Sequence, residues 1–129
     1  MTDFPVLPGF DGHIGLQLLE VTPDGVSAAF DIRPELHQPY GILHGGVLAA
    51  VVETVGSISG ATWYGGKVVG TSNHTNFLRA TTEGRLTARS TPVHRGKGQQ
   101  LWDVDITDES GRLVAKGQLR LTNLDDRAG

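Results

Sequence analysis

Residues 45–63, GGVLAAVVETVGSISGATW, are the only long helix candidate in this chain of 129 residues, and Glu53 is their one formal charge. Val47, Ala50, Val51, Val55 and Ile58 recur at helical spacing, and Gly65-Gly66 closes the run with the residue type that favours a helix stop. A helix of about 18 residues is a rod of roughly 27 Å. Apolar nearly all round, it has to be covered along its length by the rest of the fold. An ionised carboxylate buried there without a partner would be expensive, so Glu53 must be paired, protonated or placed at a cleft.

The rest of the chain reads as strands. GLQLLEVTPDGVSAAFDIRP, after a Pro/Gly-rich arm, is a strand, a tight turn at Pro23-Asp24-Gly25 and a second strand. Pro34 and Pro39 confine residues 34–41 to loop. Beyond the helix, KVVGTSNHTNFLRA, GRLTARSTPVHR, GQQLWDVDITD and GRLVAKGQLRLTNL are rich in Thr, Val and Leu and meet at glycine-containing turns. They read as an antiparallel meander of four strands. No repeat or linker interrupts the chain. The expected fold class is α+β: a single domain over residues 1–129, one long central helix wrapped by an antiparallel sheet of about six strands.

Composition removes several function classes. A net charge of −3 and a pI near 5.9 argue against a nucleic-acid partner. With no cysteine, disulfides, thiolate nucleophiles and Cys-type zinc sites are excluded. No histidine pair has a recognisable ligand spacing, so neither a metal nor a cofactor is expected. The 45–63 run has about the length of a membrane span, but Glu53 at its middle and the lack of a basic N-terminal flank argue against one. The opening MTDFPVLPGF shows no signal pattern, and the expected location is cytoplasmic.

HQPYGILHGG, then VLAAVVET, NFLR and VHRGK, follow one another in order. With the β-β-α-β-β-β-β succession, this pattern resembles the hotdog-fold acyl-CoA thioesterase superfamily, in particular the phenylacetate-degradation type and the 4-hydroxybenzoyl-CoA thioesterase that uses glutamate. The resemblance runs from about residue 9 to residue 124. It implies a hotdog fold, an acyl-CoA substrate, and hydrolysis to a carboxylic acid and free CoA. It also implies a homodimer at minimum, commonly paired into a homotetramer.

The chemistry of the residues agrees. N–H groups at a helix start lack intrahelical partners and sit at the positive end of the helix dipole. Gly45 and Gly46 allow a ligand close to those donors, and the resemblance assigns the main oxyanion donor to the Gly45 N–H. Glu53 is the candidate nucleophile or general base. Gly45 and Glu53 lie about 12 Å apart along one helix, too far to share one carbonyl. Two antiparallel helices across a two-fold axis would bring Gly45 of one subunit to Glu53 of the other.

Gln38 falls where such thioesterases carry an amide that contacts the substrate carbonyl or positions the nucleophile; the bland alternative is an amide satisfying its own loop. Ser57, one turn after Glu53, either orients the acid or the lytic water, or bonds back to its own helix. His44 and Gly46 are candidates for substrate binding at the helix start, and His44 is expected to orient the loop, the alternative being an acid/base role. Arg79 and the basic turn Arg95-Gly96-Lys97 are candidates for the CoA phosphates, the alternative being a solvated tip. Asn73, odd inside a strand, either lines a pantetheine tunnel or meets the dimer mate. Gly56, Ser59, Gly60 and Ala61 suggest room for an aryl or short- to medium-chain acyl group. A 3-hydroxyacyl thioester dehydratase or hydratase, and a non-catalytic acyl-CoA-binding module, are the rival readings.

Overall fold

The computed structural model describes residues 4–124. The elements run α1 (Gly9–Ile14), β1 (Gln17–Thr22), β2 (Gly25–Ile32), a 3-10 turn (Pro34–Leu36), α2 (Gly45–Tyr64), β3 (Val68–Phe77), β4 (Gly84–Arg95), β5 (Gln99–Thr107) and β6 (Leu113–Asn123). The α1 turn lies in the segment read as an arm, and the 3-10 turn lies in the segment read as loop. Both are too short to leave a periodic signal. The hairpin turn is where Pro23-Asp24-Gly25 places it: the Thr22 hydroxyl accepts from the N–H groups of Asp24 and Gly25 at 3.2 and 3.1 Å.

The helix has the start and stop its glycines suggest. His44 is its N-cap in extended conformation, and Gly65 ends it at φ 76°, donating its N–H to the Ala61 carbonyl. The six strands form one sheet in the order β1-β2-β4-β5-β6-β3, every neighbouring pair antiparallel. This corrects the four-strand meander. Only β4, β5 and β6 follow one another; β3 skips to the far side of β6, with Phe77 opposite Ala115 and Val68 opposite Asn123. The strand leaves the end of a helix that crosses the sheet, so it arrives at the edge opposite β1.

The inner face of the sheet packs Phe30, Leu86, Trp102, Val104, Ile106, Leu119 and Leu121 against Val47, Leu48, Val51, Val52 and Val55 of α2. The outer face is polar, with Lys116 paired to Asp105 and Gln118 to Asp103. By length and composition α2 could cross a bilayer, yet here it lies on the sheet as the core helix.

Two expectations about α2 change. The sheet covers one face rather than the whole rod: Gly46 and Glu53 are exposed, and Ala49, Ala50, Ser57 and Ala61 are half-buried. The small residues also do not open space for an acyl group. A Cβ on Gly56 would come within 2.6 Å of Leu119, and one on Gly60 within 2.2 Å of Leu121. Ser59 is fully buried and bonds Ser90 across the interface at 2.6 Å. These positions let the helix sit down on the sheet.

The same closeness gives a stability prediction. A Cβ on Gly117 of β6 would lie 2.6 and 2.7 Å from the two methyls of Val52. Val52 is fully buried and stiff at χ1, so it cannot swing aside. Gly117→Ala is expected to cost about 1–3 kcal/mol, measured as a lower midpoint in urea unfolding.

Candidate active site

Four consecutive N–H groups open α2, and three are already used. His44 donates to the Leu36 carbonyl at 2.9 Å, and Val47 to the His44 carbonyl at 3.0 Å. Gly46 donates to Nδ1 of the His44 ring at 2.7 Å. The N–H of Gly45 has no acceptor among the described residues. Among the described residues, Gly45 is thus the one of the four whose N–H is open to a ligand. Gly46 is out of direct hydrogen bonding, because its N–H serves the cap. The His44 ring caps the helix: Nδ1 accepts, so in the neutral ring Nε2 carries the proton. A Cβ on Gly46 would sit 2.8 Å from that Nδ1, so this cap needs glycine there.

Gly45 opens onto a cavity of about 300 Å³ lined by Gln38, Leu43, Gly45, Leu48, Phe77 and Arg79, among others. Gln38 is held in the loop by backbone bonds to Ile42 and Gly41. Its Oε1 accepts the Tyr40 N–H, which leaves the side-chain NH₂ without a partner among the described residues. An amide whose acceptor is spent and whose donors are unspent suits a carbonyl ligand. Arg79 borders the same cavity, exposed and with no ion pair among the described residues.

Glu53 lies two turns further along the helix, exposed and without a hydrogen bond or ion pair among the described residues. Ser57 follows one turn later. Ser59 and Thr62 bond back to the carbonyls four residues earlier, at 2.6 and 2.7 Å, whereas the Ser57 hydroxyl makes no such bond. Asn73 of β3 lies beside this stretch: its Nδ2 donates to the Ala49 carbonyl at 2.9 Å and its Oδ1 accepts from Thr75 at 2.7 Å. The strand is thereby stitched to the helix one turn before Glu53.

The basic turn is at the other end of the molecule. Phe77, whose ring lies against Gly45, pairs with Ala115 at one end of β6, while Asn123 at the other end donates its N–H to Gly98. Arg95 is already engaged: its guanidinium meets Asp24 at 2.9 Å and lies 5.8 and 6.0 Å from the ring centroids of Trp63 and Trp102. Gly96 is half-buried and Lys97 exposed. One protomer therefore gathers Gln38, His44, Gly45 and Arg79 at the helix start, Glu53, Ser57 and Asn73 at mid-helix, and residues 95–97 near its end.

Two residues of the cavity were not singled out from sequence. Phe77 stands in NFLR, but nothing local shows that its ring will lie against Gly45, where a Cβ would come within 2.5 Å of it. Thr81 carries the one buried side-chain oxygen without a partner among the described residues, and it borders the same cavity. Only the fold brings it there, through the bond from the Leu43 N–H to its carbonyl at 2.8 Å.

The sequence profile of the thioesterase superfamily matches residues 40–115, from the loop before α2 to the start of β6. The chain belongs to the thioesterase superfamily. It is a thioester hydrolase with the hotdog fold. The solved structure of Rv1847 from Mycobacterium tuberculosis superposes with a TM-score of 0.90 at 46% identity, covering 92% of this chain and 98% of that one. The proofreading thioesterase EntH of Cronobacter turicensis is 36% identical over 83% of this chain and 80% of its own length. The 1,4-dihydroxy-2-naphthoyl-CoA hydrolase of Escherichia coli is 33% identical over 84% of this chain and 81% of its own.

Proposed function

We propose that this thioesterase hydrolyses acyl-CoA thioesters with aryl or short- to medium-chain acyl groups, at active sites shared between two protomers. One observation carries the reading. The Gly45 N–H and the Glu53 carboxylate, both without a partner among the described residues, lie on one helix, about 12 Å apart. They meet on a single carbonyl only when a second helix runs antiparallel beside the first. The edge strand β3 supports that assembly, being a ten-residue strand exposed along most of its length, with one row of backbone groups unpaired within the sheet. It meets α2 at Ala49, which accepts from Asn73, and Ala49, Ala50 and Ser57 of that helix are small and half-buried, which would let a partner helix come close.

In this arrangement the thioester oxygen lies at the Gly45 N–H of one protomer, with the Gln38 NH₂ as a second donor. Glu53 of the other protomer either attacks the carbonyl carbon or takes the proton from a water that does so. Negative charge gathers on the oxygen in both cases, and the Gly45 donor stabilises it; removing such a donor typically costs about 3–4 kcal/mol of barrier. The carbon–sulfur bond breaks, and the CoA thiolate leaves and takes up a proton; on the direct-attack route, water then cleaves the acyl–Glu53 anhydride, releasing the acid and restoring the carboxylate. Ser57 holds Glu53 or the water in line.

The nucleotide lies further along the helix that supplies Glu53. From Glu53 to the helix end at Tyr64 is about 16 Å, the scale of an extended pantetheine arm. The turn at residues 96–98, with Lys97, waits there for the phosphates, and Arg79, which lines the cavity at Gly45, is the second candidate cation for them. Arg95 anchors the base of the turn. The naphthoyl group in the name of the Escherichia coli relative supports an aryl acyl group.

The test is release of free thiol from benzoyl-CoA, hexanoyl-CoA and palmitoyl-CoA. Faster release from the first two is expected. No release from any of them, as for a binding module or a dehydratase, overturns the proposal, and preference for palmitoyl-CoA alone overturns its acyl range.

A further inference from the structure

The geometry points to Asn123 as the positioning residue of the phosphate-binding turn: it pulls the turn's carbonyls inward so that its N–H groups face the ligand. Asn123 ends β6, and no part of the reading above uses it. Its Nδ2 donates to the carbonyls of Gly96 and Lys97, both at 3.0 Å, and its backbone N–H donates to the carbonyl of Gly98 at 2.9 Å. Three successive carbonyls of the turn are thus held by one residue. The N–H of Gly96 closes the turn on Gln99 at 2.9 Å. The N–H groups of Lys97 and Gly98 have no acceptor among the described residues. A Cβ on Gly98 would meet nothing within 4 Å, so that face of the turn is open. Two outward N–H groups beside a lysine ammonium form a site for an anion.

The orientation of Asn123 follows from chemistry. The indole of Trp102 can only donate, and it donates to Oε1 of Gln100 at 2.8 Å. Gln100 must then present its NH₂ on the other side, where it donates to Oδ1 of Asn123 at 2.7 Å and to the carbonyl of Gly60 at 3.2 Å. Asn123 is left with its NH₂ toward the turn, where the backbone offers only acceptors. Trp102 and Gln100 are completely buried. The direction of the relay is therefore set from within the core, and it ties the turn to the end of α2. Flipping either amide would set donor against donor or acceptor against acceptor.

This inference rests on the acyl-CoA reading, with the phosphates of the nucleotide as the anion. The test compares kinetics on benzoyl-CoA and on the benzoyl ester of pantetheine, which lacks the nucleotide. Asn123→Ala is expected to raise KM for benzoyl-CoA about tenfold, the loss of a hydrogen bond or two to a charged group. It should leave kcat for that ester within about twofold and leave kcat/KM for the pantetheine ester unchanged. Lys97→Ala should raise the same KM, and the double variant should show less than the product of the two effects, because both act on one ligand. If Asn123→Ala does not fold, Asn123→Asp keeps the acceptor for Gln100 and loses both donated bonds, with the same KM shift expected. Equal losses on both esters, or an unchanged KM for benzoyl-CoA, overturn the role of Asn123. Equal KM values for the two esters in the unaltered protein overturn the anion site while hydrolysis stands. Absence of thiol release from both esters overturns the proposed function itself.

Discussion

Replacing Glu53 by glutamine is expected to lower kcat for thioester hydrolysis by about 10³-fold, within the range for losing a positioned general base. The side chain is exposed and makes no hydrogen bond or ion pair among the described residues, so the change should leave the unfolding midpoint in place. Substrate binding should survive as well, because the proposed carbonyl and phosphate contacts come from other residues. The measurement is thiol release alongside binding of the same ester to the variant. Turnover equal to that of the unaltered protein would remove Glu53 from the chemistry and favour one of the rival readings. Single turnover in ¹⁸O water separates the two routes open to this carboxylate. Label entering the Glu53 carboxylate shows direct attack through an anhydride, and label confined to the released acid with no acyl-enzyme trapped in rapid quench shows activation of water.

The second large effect is a gain. Gly45→Val should be inactive on its own, because a Cβ at residue 45 comes within 2.5 Å of the Phe77 ring and bulk there closes the carbonyl site. Glu53→Gln should also be inactive on its own. Unfolded together in equal amounts and refolded, the two variants form mixed dimers in which one site draws Gly45 from one chain and Glu53 from the other, both unaltered. About half of the dimers are mixed and each has one working site of two, so the mixture should recover about a quarter of the unaltered activity. Recovery near that level is possible only if the sites are shared. A mixture as inactive as its parts, while size measurements show dimers, would place Gly45 and Glu53 in separate roles within one chain.

Much of the site was legible along the chain because its main parts lie on one helix. Gly45 announces itself as a glycine at a helix start, and Glu53 as the lone charge in an apolar run. The cap formed by His44 likewise acts within its own turn. Other readings failed where a distant segment decided the outcome. Gly56 and Gly60 looked like space for an acyl group, but Leu119 and Leu121 of β6 fill that space. Arg95 looked like a free cation, but Asp24 and two tryptophans from three separate elements already hold it. Ser57 and Ser59 are alike in sequence. One is fully buried against Ser90 and bonded back to its helix, and the other is half-buried and unbonded.

By itself, then, the sequence determined the helix with its two ends, and the strands and most of their limits, and it put forward one glycine donor and one acid as candidates. All of these rest on interactions within a few residues: periodicity, capping, and the conformational freedom of glycine. Only the tertiary structure decided that β3 takes the sheet edge beyond β6, that Gly45 alone of the four N–H groups opening α2 has no acceptor among the described residues, and that Asn123 holds the turn at residues 96–98. Those outcomes depend on which distant groups compete for the same donors and the same space, and no local pattern in the chain records that competition.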